Sequence, residues 1–134
     1  MEGNKKKILI IDDDNFLLDM YALKFSQNNF EVYAAIGALL AIEKLKGGLI
    51  PDVMLTDIIM PDMDGFEMLK KINEEKLCEN CVKIVLSNKS QQSDIDEGTK
   101  LGISGYIVKA NSTPAEVVDQ VVKILEKKPT EIIK

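Results

Sequence analysis

The sequence contains no histidine, no tryptophan and no arginine, and its 17 basic residues are all lysines. Without histidine, serine–histidine–aspartate catalysis, histidine-ligated zinc and a phosphohistidine on this chain are excluded. Without arginine there is no bidentate fork for guanine edges or phosphate oxygens. Positive charge is also short: 22 acidic residues against 17 basic leave a formal net charge of −5 at pH 7. Direct nucleic-acid binding is therefore not expected. Long apolar runs are missing as well. Nowhere do about 18 apolar residues follow one another, as a membrane-spanning helix requires. Lys5-Lys6-Lys7 reads as a solvated flank, and it is followed by only four apolar residues, Ile8 to Ile11, too few for a signal peptide. Two cysteines, Cys78 and Cys81, do not make a secreted disulfide framework. Their CxxC spacing precedes a strand rather than opening a helix, and no further cysteine or histidine completes a zinc site, so they read as an inert pair. The expected location is cytoplasmic.

With 134 residues, 46% of them apolar and 29% charged, the chain has the composition of one globular domain with its own core. Short apolar runs alternate with helical patterns. Ile8–Ile11, Phe30–Ala35, Asp52–Thr56, Val82–Leu86 and Tyr106–Val108 read as strands, the first apolar throughout, as a strand buried on both faces should be. Between and after them lie five helical segments. The first carries Phe16, Leu17, Met20, Leu23 and Lys24 to about Ser26; the others cover 37–46, 65–75, about 91–101 and about 114–128. Gly47-Gly48 and Gly102 close two of these, and Pro114 and Pro129 bracket the last. Strict alternation predicts an α/β fold: a doubly wound five-stranded parallel sheet with helices on both faces. Residues 1–128 form the expected domain, and 129–134 a frayed tail or the start of a linker.

Four of the five apolar runs end in polar residues: Asp12-Asp13-Asp14, Asp57, Ser87-Asn88 and Lys109. In an open α/β sheet, ligands bind at the carboxyl ends of the strands, near the reversal of strand order. With order 2-1-3-4-5, carboxylates, a hydroxyl and an ammonium would meet in one crevice. Crowded carboxylates repel unless a cation intervenes, and a hard divalent ion held by few carboxylates plus water points to Mg²⁺. A carboxylate can also take up a phosphoryl group as a nucleophile, helped by a metal, an ammonium and a hydroxyl.

The runs Ile8–Asp13, Asp57-Ile58-Ile59-Met60-Pro61-Asp62-Met63-Asp64-Gly65, Leu86-Ser87 and Tyr106-Ile107-Val108-Lys109 resemble the response-regulator receiver domain of two-component signalling, flavodoxin-like in fold. The likeness runs from about Lys6 to Lys127 and is specific because the motifs stand in order and at family spacing. It implies that Asp57 is the phosphoacceptor. Asp13 would ligate Mg²⁺ directly, Asp12 mostly through water, and the Ile59 backbone carbonyl would be a further ligand beside Asp57. Ser87 would hydrogen-bond the phosphoryl group, Lys109 would pair with it, and Tyr106 would be the switch aromatic. Ile59 and Lys89 would border the path of the hydrolytic water. The implied partners are a histidine kinase or phosphotransfer protein, or a small phosphodonor, docking on the first helix through Phe16, Leu17 and Tyr21. A downstream protein would read the face formed by helix 4, strand 5 and helix 5, with the chain a monomer or a phosphorylation-dependent dimer. Family dimers built on arginine ion pairs cannot form in that way here. Where the family has a cis proline after the lysine, this chain has Ala110. Either Lys109-Ala110 is cis at a cost of about 2.5–4 kcal/mol, or the loop is trans and Lys109 approaches differently.

Other roles are open to the same residues. Asp12 and Asp13 could cap the first helix, although Asp14 or Asn15 can do so; Asp62 and Asp64 would shape a turn; Gly65 would permit a backbone conformation that other residues resist. In place of a switch that catalyses only its own phosphorylation and dephosphorylation, the chain could be a minimal aspartate-nucleophile phosphohydrolase using Asp12. Against that stand Phe16 where that family wants Thr or Val, and the lack of room for a cap domain. A receiver-like scaffold that is never phosphorylated is a further alternative.

Overall fold

The computed structural model describes residues 5–127 and 131–133. Its elements alternate along the chain: β1 (Lys6–Asp12), α1 (Asn15–Gln27), β2 (Phe30–Ile36), α2 (Ala38–Lys46), β3 (Val53–Thr56), α3 (Gly65–Glu74), β4 (Val82–Ser87), α4 (Gln92–Lys100), β5 (Gly105–Val108), α5 (Pro114–Glu126) and β6 (Glu131–Ile133). All strand pairings are parallel, in the order β2-β1-β3-β4-β5-β6. The expected order 2-1-3-4-5 is present. A sixth strand is added on the outer edge of β5, from a segment expected to be a tail; Pro129, expected to end the last helix, lies outside the described residues.

The apolar strands split their side chains between two cores, as an alternating backbone requires. Leu9 and Ile11 of β1 join Met54, Val85 and Tyr106 beneath α2, α3 and α4, against Ala41, Leu69, Ile72 and Ile95. Ile8 and Ile10 join Val53, Leu55, Ile84 and Leu86 beneath α1 and α5, against Phe25, Val117 and Val121. The buried stripe of α1 is Leu18, Tyr21 and Phe25, not Phe16, Leu17, Met20 and Leu23. Apolar residues surround this helix, so its sequence period does not decide which stripe faces the sheet.

Caps fix where the helices begin. Asp14 Oδ1 accepts the Leu17 amide at 3.1 Å and starts α1. Asp64 and Glu67 form a reciprocal capping box on α3, and Thr113 and Glu116 another on α5, with Pro114 in the first turn. The cap of α2 comes from elsewhere in the chain. Gly37, at φ +97°, has no side chain to offer, and the carboxylate of Asp62 accepts the amides of Ala38 and Leu39 at 3.3 and 3.0 Å. The positive φ favours glycine, and a Cβ there would lie 2.7 Å from Asp62 Oδ2 and push the capping carboxylate aside.

Asp62 therefore ties the β3–α3 loop to α2. Partial burial pushes its carboxyl upward, but amide bonds from Leu39, Ala38 and Met63 outweigh this and hold its pKa below the ordinary 3.8. A depressed folded-state pKa contributes stability above the unfolded value and loses it as pH falls through the folded one. Asp62→Ala should cost about 1 kcal/mol of unfolding free energy at neutral pH, as lost caps do. In urea titrations the gap from wild type should stay constant near neutrality and close as pH drops below 3.8.

Candidate functional site

The carboxyl ends of β1, β3, β4 and β5 open onto one crevice of about 290 Å³, lined by Asp12, Asp13, Asp57, Ile59, Ser87 and Lys109 among others. The register makes this unavoidable. Ile11 pairs with Thr56 and Ser87 with Val108, so the residues that follow emerge together at the sheet rim. Asp12 and Asp57 are 2% and 8% exposed, whereas Asp13 stands in solvent.

Lys109 organises the acids. Its Nζ donates to Asp12 Oδ2 at 2.8 Å and to Asp57 Oδ2 at 2.9 Å. Burial alone would lower the ammonium pKa, but the bonds to Asp12 and Asp57 more than reverse this and raise it above 10.5. The second oxygen of each acid is held by backbone: Asp12 Oδ1 accepts the Asp14 amide, and Asp57 Oδ1 accepts the Ile58 amide at 2.7 Å. Asp12, Asp13 and Asp57 can each bring one carboxylate oxygen within 4.8 Å of the others. An all-oxygen set of this charge, open to water at Asp13, suits a small hard divalent cation.

The expected site residues differ in how they enter. Ser87 is buried, with Oγ accepting the Lys89 amide at 3.2 Å. Tyr106 is fully buried and lies behind the crevice rather than in it, its hydroxyl donating to the Lys89 carbonyl at 2.7 Å. Burial first, then the charges of Asp94 and Asp57, push its pKa up to about 12. Lys89 thus stands between Ser87 and Tyr106 through its own backbone, while its ammonium lies 3.5 Å from Asp94 of α4.

Lys109 reaches both acids without a cis bond, for there is none among the described residues. The chain after β5 forms a short 3-10 turn, Lys109–Asn111, and the Ala110 amide donates to Asn88 Oδ1. Asn88 also lines the crevice; its place beside Ser87 in the sequence was the available signal. Tyr21, expected as a surface contact, is only 4% exposed. Burial raises its pKa, with Lys109 lowering it and Asp12 and Asp57 raising it. Phe16, by contrast, is 73% exposed. Cys78 and Cys81 are joined as a disulfide, Cα atoms 5.3 Å apart, in the loop before β4 and so at the opposite end of the sheet.

Gly65 is needed for a different reason from the one expected. It is not among the residues with positive φ. Its amide donates to the Ile58 carbonyl at 2.7 Å, and a Cβ there would run into the Asp57 carbonyl oxygen and lie 3.0 Å from Ile58 Cα. The glycine lets α3 start against the backbone that carries Asp57.

An open parallel sheet with an acid cluster and an ammonium at its carboxyl edge defines an α/β protein of the doubly wound kind. A family model for the response regulator receiver domain matches residues 8–122. The chain is 35% identical over 120 residues to the chemotaxis protein CheY of Thermotoga maritima, covering 89% of this chain and 97% of that one. It is 29% identical over 122 residues to the alkaline phosphatase synthesis transcriptional regulatory protein PhoP of Bacillus subtilis, covering 91% of this chain and 49% of PhoP. It thus spans about half the length of PhoP. A CheY-like receiver domain structure from Methanospirillum hungatei superposes with a TM-score of 0.82 at 26% identity, covering 92% and 95% of the two chains. The chain belongs to the response regulator receiver domain family of two-component systems. No helix among the described residues is long and apolar enough to cross a membrane.

Gly65→Ala should destabilise the fold by about 2–3 kcal/mol in urea unfolding, because backbone rather than a side-chain tip must yield. Gly98→Ala is the control. There the added carbon meets Ile103 Cδ1, the end of a flexible side chain, at 2.5 Å, and the loss should be smaller.

Proposed function

We propose that the chain is a phosphorylation-dependent signalling switch in which Asp57 accepts a phosphoryl group in the presence of Mg²⁺. The observation that carries this is the position of the Asp57 carboxylate, beside Asp12 and Asp13 and bonded to the Lys109 ammonium. Asp12, Asp13 and Asp57, with the Ile59 carbonyl, would hold the ion, which supplies charge neutralisation on the transferring oxygens. The residues of the chain do the rest. The Ile58 amide and Lys109 orient the Asp57 carboxylate. A carboxylate oxygen attacks phosphorus, and the bond from phosphorus to the donor (P–N in a phosphohistidine, P–O in an acyl phosphate) breaks with its electron pair leaving on the donor. Lys109 and the Ser87 hydroxyl then bind the phosphoryl oxygens. The donor would be a histidine kinase or phosphotransfer protein, or a small acyl phosphate.

Signal output would run through Ser87. Drawn toward the phosphoryl group, its hydroxyl leaves the Lys89 amide, and the loop whose Lys89 carbonyl holds the Tyr106 hydroxyl is displaced. That shifts the equilibrium between two arrangements of the α4–β5–α5 face, to which a downstream protein binds. Phe16 and Leu17 at the start of α1 remain the apolar candidates for kinase docking; Tyr21 no longer does.

Intact-mass analysis after incubation with acetyl phosphate and Mg²⁺ should give one phosphoryl adduct, mapped to Asp57. Asp57→Asn should abolish both the adduct and Mg²⁺-dependent beryllofluoride binding. An adduct on Asp12 would favour a phosphohydrolase instead, and no adduct at all a silent scaffold. Lys89→Ala should shorten the lifetime of the phosphorylated form by about threefold, because the loop loses its ion pair to α4. An unchanged half-life would remove Lys89 from that role.

A further inference from the structure

The loops that follow β4 and β5 are joined by one side chain. Ser87 pairs with Val108 at the end of the sheet, so Asn88 and Lys109 leave it side by side. Asn88 Oδ1 accepts the Ala110 amide at 2.8 Å, and this is a contact across 22 residues. Ala110 follows Lys109 within a turn closed by the Ser112 amide on the Lys109 carbonyl at 3.3 Å. An amide donor exists at position 110 only because the residue is not proline, which has none. From the same turn, Lys109 sends its ammonium to Asp12 and Asp57. The reach of that flexible stem depends on where the 109–110 backbone is held.

We propose that Asn88 is a positioning residue: by accepting the Ala110 amide it fixes the backbone from which Lys109 reaches Asp57, and so couples the β4–α4 loop to the lysine. This rests on the reading of Asp57 as phosphoacceptor and deepens it. Ser87 and Lys109 are the two groups that would meet the phosphoryl oxygens, and through Asn88 they move as one. A shift of residues 87–89 pulls on Ala110, so the ammonium follows the hydroxyl. Asn88 is exposed, and water competes for its carbonyl, so its removal changes a rate and leaves the fold intact.

The chain supplies two independent readouts. The first is the rate of Asp57 labelling by acetyl phosphate with Mg²⁺. Asn88→Ala should slow it about fivefold, at an unchanged melting temperature. Ala110→Pro removes the donor and puts proline's own backbone restraint in its place. Asn88→Ala added to Ala110→Pro should then do nothing further, because both remove one contact. The second readout needs neither phosphorylation nor the proline variant: hydrogen exchange at the Ala110 amide. It should be protected in the wild type and exchange at least about tenfold faster in Asn88→Ala. Labelling of Asn88→Ala at the wild-type rate, effects of the two substitutions that multiply, or equal exchange at Ala110 in both proteins would each overturn the proposal. A wild-type chain that labels nowhere would defeat the Asp57 reading alone, and the exchange comparison would still decide whether Asn88 holds Ala110.

Discussion

Two carboxylates, one of them 2% and the other 8% exposed, share a single ammonium, and the arrangement of the site depends on that contact. Asp12 and Asp57 arrive on neighbouring parallel strands and would repel each other across a partly desolvated crevice. Lys109, from the far side of the crevice, relieves the repulsion at two oxygens at once. The bonds to the two acids outweigh burial and raise its pKa, so it stays charged at neutral pH. Any group that competed for Asp57 Oδ2 would have to displace Lys109 from it. The charge balance of the crevice therefore lies in three side chains, Asp12, Asp57 and Lys109.

The β3–α3 segment solves a second constraint, which is to hold Asp57 still while leaving it reachable. It is pinned at three points along nine residues (57–65). Asp57 is bonded to its own following amide, Asp62 caps α2, and Gly65 abuts the Asp57 carbonyl at the start of α3. Each contact is short-range chemistry of a familiar kind, but together they tie the acid to two helices and a strand. Ile59, between the first two pins, is 63% exposed, so the rim stays open.

Much of this was legible in the sequence because it depends on local period and spacing. The apolar run Ile8–Ile11 announces a strand buried on both faces, and the acids, hydroxyl and lysine ending successive runs announce a shared rim. What the sequence withheld depends on contacts between distant segments. Asp62 reads as a turn former because nothing near it in the chain reveals that α2 begins without a cap. Tyr21 reads as a surface residue because α1 is apolar around much of its circumference, and only packing against β1 chooses the stripe containing Leu18 and Phe25. Glu131–Ile133 reads as a tail, since three residues carry no period, yet its backbone completes the edge of β5. Gly65 reads as a residue freed for an unusual backbone angle, yet the constraint is a collision with the Asp57 carbonyl, which lies eight residues back in the chain.

The departure from family pattern at Ala110 shows how a lost local constraint can be replaced by a tertiary one. A proline restricts its own φ and the residue before it without reference to anything else in the fold. Alanine restricts neither, so the direction in which Lys109 leaves β5 has to be set from outside. The available amide is taken up by Asn88, which belongs to the loop that also carries Ser87 and the carbonyl bound by Tyr106. Rigidity that proline would supply independently is supplied here by a side chain of the neighbouring loop. The orientation of the lysine thereby becomes a property of the β4–α4 loop, and a chain built this way links charge compensation at Asp57 to the same backbone that holds Tyr106 inward.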